Sequence, residues 1–248
     1  MRTIIDLYER ASKTEQLEET ANRFDLLRRQ ATCRIFTKFL STATPPCEVL
    51  EIGPASGFIT AALAKVLPSS GTCSLDVMDF SRGFLASTKA KGFAVRNYIH
   101  GNIVTGEGLS GLEGKYDFVL LEEVLEHLTA PYDALANINR ILKPGGCVLL
   151  TVPNGGHWRQ LYAQHVRAGQ LLEHGPMLDT HIAELSLLGI LKLIAMAGFV
   201  PLELSYYATR APILKSLMSP QVGLVLQREC SPETRWQALA EARYQPPG

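Results

Sequence analysis

The stretch EEVLEH, residues 122–127, sets three carboxylates and an imidazole directly after the apolar run YDFVLL. On a helix beginning there, Glu123, Glu126 and His127 stand at i, i+3 and i+4 and share one face. Such a face can take a proton from an acidic O–H near neutral pH. Carboxylates joined by an imidazole also suit a divalent cation. A second concentration is VLEIGPASGF, residues 49–58, where Glu51 precedes the small-residue turn Gly53-Pro54-Ala55-Ser56-Gly57 and ITAALAKVL resumes with helical spacing. Gly53 and Gly57 permit backbone angles and close approach that a side chain forbids, so a ligand there would meet main chain. A G-x-G-x-x-G fingerprint counted from Gly53 needs glycine where the chain has Ala55 and Phe58, which argues against a pyrophosphate.

About twenty residues beyond that turn, Asp79 in LDVMDFS stands where a second parallel strand would end, a position from which a carboxylate can grip two ribose hydroxyls. Asp76 is the competitor, but its offset of three directs it to the opposite face of the strand. His157, His165 and His174 lie in the glycine-rich insertion of residues 154–180; each could act as a base, and each is expected to be a solvated loop residue. Trp158, Tyr162 and Met177 in that insertion either form an apolar lid over an aromatic or lipid-like ligand or simply pack it onto the sheet.

The elements that must position these groups read as one α/β unit. From residue 47 to 153 short β-rich runs alternate with helical stretches: CEVLEIG then 58–67, TCSLDVMDF then 82–91, AVRNYIHGN, YDFVLLE then 123–142, and CVLLTVP. That rhythm predicts βαβ units and a parallel sheet covered on both faces. In LKPGG, Pro144 and Gly145 occupy the central positions of a type II turn ahead of a buried strand. Residues 1–44 predict an amphipathic helical cap, residues 45–230 the main domain with a lid insertion at 154–183, and residues 231–248 a polar tail. After the insertion come a helix and two further β-like runs, FVPLELSYYAT and VGLVLQRE.

Composition narrows the partners. The 248 residues carry 24 Lys plus Arg against 24 Asp plus Glu, so no global field gathers nucleic acid or anionic membrane. The N-terminus meets charge within six residues and no apolar run is long enough to span a bilayer, which predicts a cytoplasmic protein without membrane insertion. The five scattered cysteines read as reduced core thiols.

VLEIGPASG, VMDFS, YDFVLLEEVLEHL, RILKPGGCVLLTVPN and AGF resemble, in order and spacing, the class I S-adenosylmethionine-dependent methyltransferases across residues 45–205. The resemblance implies a Rossmann-like, doubly wound, mostly parallel seven-stranded sheet whose last strand is antiparallel. It implies that Glu51 and the backbone of Gly53, Pro54, Ala55, Ser56 and Gly57 hold the amino-acid and ribose portions of the cofactor. Asp79 would take the ribose diol, with Phe80 and Glu122 in the same pocket. Where the family usually has aspartate after the third strand, this chain has Asn102, whose amide oxygen is expected to accept from the adenine amino group; Ile103 would pack the base. Ala55 also departs from the commoner glycine.

The implied chemistry is in-line methyl transfer to a small-molecule acceptor, with oxygen as the expected nucleophile and positioning as the main source of rate. His127 is the expected pocket residue or base, with Glu123 and His181 as further catalytic candidates. The Glu-Glu-His cluster also resembles the metal-holding motif of ubiquinone-pathway O-methyltransferases and small-RNA 2′-O-methyltransferases, in which His181 would join Glu123, Glu126 and His127 around a divalent ion. Because VLEHL occurs widely in the superfamily without metal, the metal-free reading is preferred. Two alternatives stand beside it: a metal-assisted RNA 2′-O-methyltransferase, and a non-catalytic scaffold that binds the cofactor. Monomer and homodimer are not distinguished.

Overall fold

The computed structural model describes residues 23–40, 46–67, 73–162, 166, 182–183, 185–207 and 221–229. Helix α1 (Arg23–Leu40) precedes strand β1 (Cys47–Ile52), helix α2 (Phe58–Val66), β2 (Cys73–Asp79), α3 (Arg82–Ala90), β3 (Asn97–His100) and β4 (Tyr116–Glu122). A short 3₁₀ turn (Leu125–His127), α4 (Pro131–Ile141), β5 (Leu142–Pro153), α5 (Leu187–Met196), β6 (Phe199–Tyr207) and β7 (Gln221–Arg228) complete it.

The seven strands lie in the order β3-β2-β1-β4-β5-β7-β6. β1 pairs in parallel with β2 and β4, β2 with β3, and β4 with β5, whereas β7 runs antiparallel between β5 and β6. The expected sheet and its antiparallel last strand are therefore present. Burial explains why the strands read as nearly unbroken apolar runs. One face packs Leu135 and Ile138 of α4 with Ile190 and Ile194 of α5 against Leu50, Leu121 and Leu150. The other packs Phe36 and Leu40 of α1, Ile59 and Leu63 of α2, and Leu85 of α3 against Val49, Val77 and Leu120. Each fully buried side chain of this size contributes about 1.5–3 kcal/mol through removal from water. Strand order reverses at β1 and β4, so the crevice beyond their carboxyl ends is the place for a ligand.

Three expectations change. The helix predicted over 123–142 begins only at Pro131, the favoured first-turn residue; before it Glu123 takes a left-handed φ of 53° and Leu125–His127 form the 3₁₀ turn. β5 starts at Leu142 and includes KPGG, with Gly145 at φ 75° and a register shift against β4 between Tyr116 and Phe118. Cys47 and Cys73 form a disulfide, which corrects the reading of all cysteines as reduced: parallel register sets them directly opposite, with Cα atoms 4.5 Å apart. Cys33 and Cys147 are free and half-buried, and burial pushes both thiols up to about 11. Cys230, residues 1–22 of the cap and the tail from 231 lie outside the described residues. Among the described residues no helix is long and apolar enough to cross a membrane.

Candidate functional site

The turn after β1 is forced by its neighbours. Gly53, Ala55 and Gly57 all have positive φ, at 71°, 44° and 75°. A Cβ at Gly53 would fall 2.7 Å from Val124 Cγ2, and one at Gly57 would fall 2.9 Å from the Phe93 ring. Only glycine meets both the angle and the space at these two positions. Gly53 N donates to Met78 O at 2.9 Å, tying the bend to the end of β2. Lys91 Nζ donates to Ser56 O at 2.7 Å, and Gly57 N to Pro54 O at 2.7 Å. Ala55 is exposed and accepts the left-handed conformation at a cost of about 1–2 kcal/mol.

Asp79 stands beside this bend and is 6% exposed. Its Oδ1 accepts from Ser81 N at 2.8 Å, and Ser81 Oγ in turn caps α3 by accepting from Phe84 N. Phe80 is fixed through its carbonyl, to which His100 Nε2 donates at 3.0 Å. Asp76 belongs elsewhere, as its offset predicts: it is fully buried and receives Arg96, Asn97, Lys115 and Tyr116.

Glu51, the penultimate residue of β1, is 4% exposed, and among the described residues its Oε2 has no hydrogen-bond partner. Burial pushes its carboxyl up to about 8; Thr60 at the start of α2 pulls it down, while the charges of Glu122 and Asp79 push the same way as burial. The folded state thus holds a proton that the unfolded chain releases near 4.5. This contribution to stability is fully present below that value and is lost as pH rises through about 8. Glu51→Gln, which has no proton to lose, is therefore expected to gain on wild type by a few kcal/mol between pH 5 and 8.5, read from urea midpoints. Parallel midpoints at both pH values would show that Glu51 is ionised throughout.

Asn102 opens the loop after β3, where Gly101 N donates to Asp79 O at 3.1 Å. Its Oδ1 accepts from Val104 N at 2.9 Å and from Thr105 N at 3.4 Å. The oxygen expected to meet adenine is therefore turned into the loop. Ile103 is buried at 5% exposure, and Asn137 of α4 pins the loop by donating to the carbonyls of Ile103 and Val104.

Beyond β4, Val124 touches Gly53, and His127 N closes the 3₁₀ turn on Val124 O at 3.0 Å, which brings His127 within one turn of the glycine bend. Its side chain is 22% exposed, and its Nε2 lies 3.9 Å from Oε1 of the buried Glu126. Glu122 ends β4 half-buried. Glu123 turns away: its N donates to Thr151 O, and its Oε1 accepts from Gln221 Nε2 at 2.6 Å. The shared helical face of Glu123, Glu126 and His127 is thus absent, because the segment is not an α-helix. Ile182 N and Ala183 N both donate to Glu126 O at 2.9 Å. His181 itself, with His165, His174 and Met177, lies outside the described residues. Among the described residues no group of three or more His, Cys, Asp or Glu is arranged to hold a metal ion.

His157 is 8% exposed, contrary to the solvated loop residue expected, because Asn154 at the end of β5 folds the chain inward: His157 N donates to Asn154 O at 2.9 Å. Burial, and then the Arg159 charge, hold its imidazole below the usual range. Trp158 and Tyr162 are 46% and 71% exposed. Two contributors escape sequence inspection. Gln221 reaches Glu123 only because β7 inserts beside β5, and the Cys33 thiol of α1 is pushed up by burial first and then by the charges of Glu122 and Glu51.

A family model described as a methyltransferase domain matches residues 23–204. A squalestatin tetraketide synthase of Cochliobolus lunatus is 30% identical over 113 residues, covering 43% of this chain and 4% of that protein. A malonyl-[acyl-carrier protein] O-methyltransferase of Priestia megaterium is 27% identical over 125 residues, covering 50% of this chain and 43% of that protein. The chain thus spans less than half the length of either relative. Among solved structures, the CurJ carbon methyltransferase superposes with a TM-score of 0.60 at 18% identity, over 87% of this chain and 57% of that one, which shows a shared fold.

Proposed function

The chain belongs to the methyltransferase-domain family, and on that premise we propose that it binds S-adenosylmethionine beyond β1 and β2 and methylates a small-molecule acceptor at oxygen. The observation that carries this reading is the buried Oε2 of Glu51, an acceptor that meets no donor among the described residues, beside a glycine bend. A cationic amino-acid head supplies the donor that Oε2 lacks and, by its charge, favours loss of the Glu51 proton to give the carboxylate, so the residues fit the cofactor. Main chain of residues 53–57 then lies along the ligand, and Asp79 accepts from the ribose hydroxyls. The sulfonium supplies an already activated methyl group. What remains for the protein is to hold the acceptor in line, to exclude water and to remove the acceptor's proton. His127, partly exposed beside the bend, is the base we assign, with the buried Glu126 carboxylate 3.9 Å from its Nε2 to favour the imidazolium once the proton is taken. Trp158 and Tyr162, exposed just past β5, form the apolar side of the acceptor's entrance.

A carbon acceptor is the second reading, favoured by the carbon methyltransferase among the structural neighbours. It calls on the same base, because an enolisable C–H must also lose its proton. Two measurements test the proposal. Calorimetry with S-adenosylhomocysteine is expected to show binding that weakens about tenfold to a hundredfold in Asp79→Ala, the loss of one or two charge-assisted hydrogen bonds. Transfer of labelled methyl groups to a metabolite pool, followed by mapping of the labelled atom, decides between oxygen and carbon. Undiminished binding in Asp79→Ala would show that the nucleoside lies elsewhere.

A further inference from the structure

We propose that Asn102 presents an N–H donor to the purine edge of the methyl donor, so that this site does not read the exocyclic 6-amino group. The inference rests on the reading that the adenosyl group lies beyond β2 and β3. The loop that carries Asn102 is fixed from four sides. Gly101 N donates to Asp79 O, Asn102 N to Glu107 O at 3.0 Å, and Gly106 N to Asn102 O at 2.9 Å. Asn137 Nδ2 donates to Ile103 O at 2.8 Å and to Val104 O at 3.0 Å. The flanking glycines leave no slack: a Cβ at Gly101 would sit 2.4 Å from Glu107 O, and one at Gly108, whose φ is 80°, 2.9 Å from His100 O.

Within this frame Asn102 Oδ1 accepts from both Val104 N and Thr105 N. Rotating the carboxamide by half a turn would set its NH₂ against two main-chain N–H donors, so the assignment of oxygen and nitrogen is fixed by the loop. Nδ2 is left with two hydrogens, and among the described residues no hydrogen bond engages it. Aspartate could cap the same turn with one carboxylate oxygen and accept from an amino group with the other. Asparagine has one oxygen and cannot do both. Its remaining group complements a ring nitrogen of the base, an acceptor, and offers the 6-amino group nothing.

The test compares S-adenosylhomocysteine with its 6-deamino analogue, in which purine riboside replaces adenosine, by calorimetry on the full chain. Wild type is expected to bind the two within about threefold. Asn102→Asp, which keeps the capping oxygen, is expected to retain its thermal midpoint and to prefer the amino compound by about tenfold, one hydrogen bond. A tenfold preference for the amino compound in wild type, or an unchanged ratio in Asn102→Asp, overturns the inference. If Asn102→Asp lowers the midpoint, the wild-type ratio alone decides. Failure of wild type to bind either compound sinks the donor reading, whereas binding of both that is lost equally in Asp79→Ala keeps that reading and leaves Asn102 to be judged by the ratio.

Discussion

Asp76→Ala is expected to destabilise the fold by about 3–5 kcal/mol, a large share of what holds a domain of this size together, and to lower the urea midpoint accordingly. Asp76 is fully buried in β2 and receives Arg96 Nε and Nη2 at 2.9 and 2.7 Å, Asn97 Nδ2 at 2.9 Å, Lys115 Nζ at 3.0 Å and Tyr116 OH at 3.0 Å. Burial alone would push its carboxyl up; the bonds from Arg96, Lys115 and Tyr116 outweigh it and hold the group at about 2. The stability it contributes is present above the unfolded value near 3.8 and lost as pH falls through about 2. Truncation leaves a buried phenol and two cations without their acceptor, although Arg96 keeps Glu48. Asp76→Asn retains the shape but not the charge and should fall between. A wild-type midpoint in the alanine variant would mean that water replaces the carboxylate, and that β2 is open where the packing has it closed.

His127→Gln is expected to lower kcat by about a hundredfold to ten-thousandfold, the range for loss of a positioned base, while affinity for S-adenosylhomocysteine stays within about twofold. The split follows from position. His127 hangs from the turn whose Val124 lies against Gly53, whereas in the proposed site the nucleoside would be held by the bend's own main chain and Asp79. The measurement is a single-turnover rate with the acceptor found by label transfer. An unchanged rate moves the base elsewhere, with His157 next in line because it lies buried just past β5, where burial and then the Arg159 charge hold its imidazole below the usual range.

Much of this architecture is legible in the residues themselves. The alternation of β runs and helical stretches, the glycine bend, and Asp79 against Asp76 all follow from local rules, since a strand's two faces and a turn's angles depend on near neighbours. The EEVLEH segment defeats the same rules. Its composition suits a helix, yet Glu123 is drawn to left-handed φ because its side chain and amide are engaged by Gln221 and Thr151, partners 98 and 28 positions away. The Cys47–Cys73 bond is likewise invisible in spacing, because only the register of β1 on β2 brings the two together. His157 looks like a loop histidine until Asn154 turns the chain inward. Asn102 shows the finer limit: the residue type permits it to accept, and only the turn it caps reveals that its oxygen is occupied.

The insertion of β7 between β5 and β6 has a consequence for biosynthesis. Gln221, which fastens Glu123, stands on the last described strand, so a chain emerging from the ribosome exposes the flank of β5 while six of the seven described strands are already made. Until that final strand threads into the gap, the flanks of β5 and β6 that it covers stay unpaired, open edges on which a nascent chain can misassociate.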